Sequence, residues 1–193
     1  MVKQAEHALT SYFHKLALDV TRPFALILNM VLALVFSFRF YQVHRLFFLL
    51  LAFRFWVISA FLSNRLPPEK AVLLHQRLFA YVSKFIPYFY HDASPLAPHL
   101  LRPVATFLEL AGTVLSTWAV IDLGRRFGVA PAKRGAVCRT GAYRWLRHPI
   151  YTGYAMLEFA STLLNRANLP IFALSMSTLF IRSRMEDKVL GEA

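Results

Sequence analysis

Five stretches of the chain are apolar and nearly free of charge. Residues 23–38 carry no charge, residues 47–63 only Arg54, residues 103–121 only Glu109, residues 150–164 only Glu158, and residues 169–181 none. A bilayer core takes about 20 residues of helix, with a range of roughly 17–25. The first three stretches approach or meet that length. The last two are short for it. The link between them, Asn165-Arg166-Ala167-Asn168, is so brief that the two should form a tight helical hairpin. Pro170 falls in the first turn of its second helix, where proline is tolerated. The apolar runs are continuous rather than alternating, which argues against a membrane β-barrel.

Residues 71–90 follow a different pattern. Leu74, Leu78, Tyr81, Phe85 and Phe89 recur at helical spacing and leave Arg77 and Lys84 on another face. That suits a helix lying in the membrane interface better than a span, because a central Arg or Lys costs about 3 kcal/mol on insertion. The pattern therefore predicts an all-α, multi-pass transmembrane helix bundle of about five spans plus one interfacial helix. Residues 1–100 form the N-terminal membrane helices. Residues 101–193 form a second part made of a span, a basic loop, a hairpin and a tail, all within one integral membrane domain.

Composition agrees. Of 193 residues, 57% are hydrophobic and 17% charged, against roughly 45–50% and about 25% in soluble domains. Such a chain is neither soluble nor disordered. The net charge of +12 would suggest nucleic acid in a soluble protein. Here it concentrates in residues 122–149, where Arg125, Arg126, Lys133, Arg134, Arg139, Arg144 and Arg147 face a single acid, Asp122. A basic loop between apolar segments is read as cytoplasmic and lipid-facing instead, with no nucleic-acid partner. The hairpin then brings the C-terminal run to the same side. One cysteine, Cys138, excludes an internal disulfide and a Cys-rich zinc site, and no metal site is expected. Residues 1–21 lack the apolar core of a cleavable signal peptide.

Chemistry concentrates in the loop and the tail. Arg147-His148-Pro149-Ile150-Tyr151 opens a membrane helix, where free N–H groups and the helix dipole attract an anion. The null for these groups is binding of lipid phosphate. In the tail, Arg182 and Glu186 stand four residues apart on one helix face. An anion cradle and an acid brought together suit a zwitterion. Glu109 and Glu158 lie within spans; Glu158 either lines an acceptor tunnel or one of the two acids pairs with Arg54, and the ion pair is the favoured reading. Trp118, Trp145 and the tyrosines at 81–90 are read as interface-belt residues.

Tyr143-Arg144-Trp145-Leu146-Arg147-His148-Pro149-Ile150-Tyr151-Thr152-Gly153 resembles the R-H-P-x-Y-x-G signature of the isoprenylcysteine carboxyl methyltransferase-like group, which includes phospholipid methyltransferase relatives. Leu123-Gly124-Arg125-Arg126-Phe127 resembles its L-G-R-x-F stretch. Arg182-x-x-x-Glu186-Asp187-x-x-Leu190 resembles its R-x-x-x-E-E-x-x-L motif, with Asp for the second Glu. The resemblance covers roughly residues 103–190.

It implies a membrane methyltransferase that binds S-adenosylmethionine without a Rossmann domain and acts on a small or lipid-soluble acceptor entering from the bilayer. Carried over by position, Ala136, Val137, Cys138 and Tyr143 line the cofactor pocket. Arg147, His148, Pro149, Ile150 and Tyr151 meet the cofactor, with His148 as cofactor ligand before base. Glu186 also meets the cofactor, and Arg182 faces the acceptor. Arg182 and Glu186 are the catalytic candidates, and Arg182 and Glu158 the substrate-binding ones. The resemblance also implies an aromatic-rich stretch after Leu190, whereas the sequence ends at Ala193. Two alternatives follow: a membrane reductase using a nicotinamide cofactor, and a non-catalytic membrane protein that keeps the fold.

Overall fold

A computed structural model describes residues 22–44, 46–91, 93–94 and 98–191. The signal-peptide reading falls on residues 1–21, outside the described residues. The helices are α1 (Arg22–Val43), α2 (Leu46–Ser63), α3 (Leu74–Ser83), α4 (Leu101–Leu123), α5 (Pro149–Leu164) and α6 (Leu169–Leu190). Short 3-10 turns lie at Ile86–Phe89, Gly124–Arg126, Gly141–Arg144 and Arg166–Asn168. One small antiparallel pairing sets Lys70 opposite Lys133 and Ala71 opposite Ala132.

The molecule is an all-α membrane protein built inside out. Large apolar side chains face outward: Ile27, Leu34 and Phe38 on α1, Phe53 and Trp56 on α2, Phe107 and Trp118 on α4. Small polar ones face inward: Asn29, Ser59, Thr113, Ser116, Thr117, Ser175 and Thr178 are buried. Hydrocarbon supplies no hydrogen bonds, so inward hydroxyls bond the helix's own carbonyls. Ser59 donates to Phe55 O at 2.9 Å, Thr113 to Glu109 O at 2.7 Å and Thr117 to Thr113 O at 2.7 Å.

Among the described residues, α1, α2 and α4 are long and apolar enough to cross a membrane. α5 has 16 residues, about 24 Å at helical rise, and the last third of α6 is charged.

The segment expected to be a helix over 71–90 differs. It is strand at 71, helix α3 from Leu74 to Ser83, and a 3-10 turn with Pro87 in its opening positions. Proline lacks the N–H that would continue α3. Leu74, Leu78, Phe85 and Phe89 are exposed, while Arg77 and Tyr81 are buried. The apolar stripe thus faces the surroundings and the basic side faces the protein. Tyr81 is core rather than interface belt.

α5 packs most closely on α4, not on its hairpin partner α6. A Cβ on Gly112 would stand 2.6 Å from Gly153 O, and one on Gly153 would stand 2.6 Å from Gly112 O and 2.8 Å from Ser116 Cβ. Two glycines let the backbones touch, as small residues do in membrane helix pairs. The α5–α6 turn is instead locked by buried Asn168. It donates to Ser161 O at 3.0 Å and His91 O at 3.1 Å, and its Oδ1 accepts His91 N at 2.8 Å.

Gly153→Leu should force α4 and α5 apart and cost about 1–3 kcal/mol, the usual range for overpacking. A fall in Tm of the purified protein checks this. Leu174→Ile, at an exposed position on α6, should leave Tm within error.

Candidate functional site

The loop between α4 and α5 is fastened by the acid at the end of α4. Asp122 Oδ2 accepts Ala142 N at 2.7 Å. Gly141 precedes it at φ +56°, and a Cβ there would collide with the Asp122 carboxylate. Only glycine meets both demands. Buried Cys138 turns its Sγ to Asp122 O at 3.5 Å. Arg126 Nη1 donates to Ala136 O at 2.9 Å. From the N-terminal half, Arg125 Nε reaches Asn64 O at 2.7 Å, Leu66 N donates to Arg125 O at 2.8 Å and Glu69 N to Lys133 O at 2.8 Å. The basic loop is therefore folded and anchored on two sides.

Its far end meets the tail. His148 is the N-cap residue of α5, but its ring does not cap the helix. It reaches α6 instead, with Nε2 3.1 Å from Asp187 Oδ1 and Nδ1 3.8 Å from Glu186 Oε2. Arg147 Nε lies 3.3 Å from the same Asp187 oxygen. These are ion-pair distances. Asp187 is buried and meets Arg147 and His148, the side chains that the sequence pattern offered to an external anion. That corrects the cradle: its charge is met within the chain, by the tail's second acid. Adjacent residues on a helix point about 100° apart, so Glu186 turns elsewhere. Tyr151 donates its hydroxyl to Glu186, and the Tyr151 ring stacks on His148 with centroids 5.6 Å apart. Burial raises the Glu186 pKa above the usual carboxylate range, against the lowering pull of His148, Tyr151 and Arg182.

Arg182 lies one turn before Glu186. Its Nη2 donates to Val129 O at 2.9 Å, and its guanidinium carbon stands 5.4 Å from the Tyr151 ring centroid. Its Nε is buried without a hydrogen-bond partner. Burial and the nearby Glu186 push the Tyr143 pKa upward, so its phenol stays neutral.

These groups surround a cavity of about 1210 Å³. Ala136, Val137, Cys138, Tyr143, Arg147, His148, Ile150, Tyr151, Glu158, Arg182 and Glu186 all line it. Pro149 does not. It is fully buried and starts α5. Glu158 does not take Arg54. It accepts the Tyr90 hydroxyl at 3.0 Å and bonds the Ser175 side chain. The Arg54 guanidinium lies 4.5 Å from the Tyr154 ring centroid. Two hydroxyls satisfy the acid and a ring faces the cation, so Glu158 is not the ion-pair partner of Arg54. Tyr90 is thus an inward residue, whereas Tyr88, Trp118 and Trp145 are exposed.

Sequence reasoning missed Asp122, Tyr90, Tyr154 and Lys84 as parts of this region. Asp122 as the only acid in a basic loop was a usable signal. Nothing local marks the others, which arrive through packing.

Asp122→Ala should release the 3-10 turn and speed tryptic cleavage at Arg139 and Arg144 several-fold, with helix content unchanged by circular dichroism.

The chain matches no curated protein and no solved structure. Residues 104–192 match the model of the Isoprenylcysteine carboxyl methyltransferase (ICMT) family. That segment runs from the first turn of α4 through the anchored loop to the end of α6. Over it, the chain is similar to the isoprenylcysteine carboxyl methyltransferase family.

Proposed function

We propose that the protein is an integral membrane methyltransferase that uses S-adenosylmethionine on a small or lipid-soluble acceptor entering from the bilayer. The observation that carries this is the meeting of loop and tail. His148 and Tyr151 at the start of α5 face Arg182 and Glu186 of α6 across one cavity.

The residues present fit the cofactor. Glu186 is a partly buried acid available to an ammonium, and Arg182 Nε is a buried donor lacking an acceptor. Val137, Cys138, Tyr143 and Ile150 supply an apolar and aromatic wall. When bound, S-adenosylmethionine supplies a methyl group already activated on a sulfonium. The chain's task is to position, desolvate and exclude water. Glu186 holds the cationic end, with Tyr151 fixing its carboxylate. Ala136, Val137, Cys138 and Tyr143 enclose the cofactor, Arg147 and His148 set the helix entrance against the tail, and Pro149 fixes where the helix starts. Arg182 faces the acceptor, and its free Nε–H suits an oxygen there. Glu158, a turn or two deeper on α5, lines the acceptor side. A thiolate or carboxylate acceptor needs no general base; an amine arrives deprotonated.

Five spans with the basic loop and the tail on the cytoplasmic side complete the reading, since arginine-rich short loops stay inside. Residues 1–100 then supply the lipid-facing helices and 101–193 the methyltransferase core.

Titration of the detergent-purified protein should show saturable binding of S-adenosylmethionine and S-adenosylhomocysteine, and weaker or no binding of NADPH. His148→Ala and Glu186→Gln should each weaken it about tenfold or more, about 1.4 kcal/mol. No binding by folded protein would sink the assignment.

The pH profile follows from the sign of the shift. The Glu186 carboxyl must be ionised to hold an ammonium, and its pKa is raised. Affinity should therefore fall on acidification at a pH above the ordinary value of about 4.3. Glu186→Gln should remove that fall.

A further inference from the structure

Two basic side chains from the N-terminal half enter the same cavity, and the loop–tail site does not use them. Arg54 of α2 is buried, and its Nε has no hydrogen-bond partner. Lys84, at the end of α3, is held by Asn29 of α1, whose Oδ1 accepts its Nζ at 2.9 Å. The two cations share one ring. The Phe55 centroid lies 5.8 Å from the Arg54 guanidinium carbon and 5.9 Å from Lys84 Nζ. Arg54 also sits over Tyr154 at 4.5 Å, and Arg182 over Tyr151 at 5.4 Å. Tyr151 and Tyr154 are three residues apart on α5, so they share a face and differ by about 4.5 Å in height. Aromatic faces thus connect three basic side chains along the cavity wall, of which Arg54 and Arg182 are buried and Lys84 partly so.

Among the described residues, neither Arg54 nor Lys84 makes an ion pair with an acid. Glu158 is held by Tyr90 and Ser175, and Glu186 by Tyr151 and His148. Glu109 of α4 lines the same cavity. Burial, then Arg54, then Arg182 lower the Lys84 pKa to about 7. Mutual repulsion of that kind marks a region short of negative charge. Ring faces offset only part of the cost of a desolvated guanidinium. An oxyanion between Arg54 and Lys84 would satisfy the open Nε–H and offset both charges.

We propose that Arg54 and Lys84 form an anion-binding subsite for the methyl acceptor, about one helical turn further along α5 than the loop–tail site. The acceptor is then an amphiphile with an oxyanion, a phosphate or a carboxylate, on an apolar chain. Phe36, Phe47, Leu51 and Leu157 line the cavity and suit that chain. This rests on the methyltransferase reading for the word acceptor, but the subsite itself does not.

The test uses full-length protein in neutral maltoside micelles, with thermal shift as the readout. Dodecyl phosphate should raise Tm saturably in wild type, and dodecyltrimethylammonium should not. Dodecanoate in parallel shows which oxyanion fits better. Arg54→Gln and Lys84→Gln should each weaken the dodecyl phosphate effect at least tenfold, with S-adenosylhomocysteine affinity within about twofold of wild type. Arg54→Lys should retain part of the effect, which separates lost charge from lost fold. Dodecyl phosphate binding unchanged in both Gln variants, or equal stabilisation of wild type by the cationic amphiphile, would overturn the subsite. Absence of S-adenosylhomocysteine binding with Arg54-dependent phosphate binding intact would keep the subsite and overturn the methyltransferase reading instead.

Discussion

The contact of Gly112 with Gly153 sets the geometry of everything on α5. Each glycine occupies space that a Cβ would deny to the other's carbonyl. The axis of α5 is thereby held against α4, and the inward face of α5 follows. His148 stands at its entrance, then Tyr151, Tyr154 and Glu158 descend from it toward the bilayer. A helix of 16 residues with little apolar length cannot rely on lipid to set its depth. Backbone proximity does so, and Ser116 and Thr113 beside it add no protruding bulk. The α4 end of the same contact carries Asp122, so the loop anchor and the helix crossing are fixed by one element.

Electrostatics then divides the cavity into two levels. At the loop–tail level, charge is balanced. Arg147 and His148 face Asp187, and Tyr151 and His148 face Glu186. Arg147 is half-exposed, so its attraction to the buried Asp187 carboxylate is partly screened by water. The pairing brings α6 to the mouth of α5, which closes the cavity on one side. At the deeper level Arg54, Lys84 and Arg182 lie over aromatic rings, and Glu158 is taken up by Tyr90 and Ser175. Arg182 bridges the two levels, being four residues from Glu186 and over the Tyr151 ring.

The N-terminal half is thus more than a lipid jacket. Its segment at 64–71 bonds the basic loop, and it delivers Arg54 and Lys84 to the cavity wall, with Asn29 holding Lys84 from behind. No sequence motif announces this contribution. Arg54 was visible as the lone charge of its apolar stretch, but its partner was not. An acid was the natural guess, and a tyrosine ring took the place.

Periodicity and apolar run length determined the helices, because a membrane helix needs nothing beyond its own residues to satisfy its backbone. The bounds of α1, α2, α4 and α5 lie close to the apolar runs that predict them. Residue type and order carried the family resemblance, since the loop and tail motifs sit within the matched residues 104–192. Pairing was another matter. Asp187 rather than an external anion meets His148, Tyr90 rather than Arg54 meets Glu158, and α5 leans on α4 rather than on α6. Each of these joins residues many positions apart, and each turns on which side of a helix faces which neighbour. Charge and hydropathy along a chain record what a residue can bond. Only the packed backbone, through contacts such as Gly112 with Gly153, decides what it reaches.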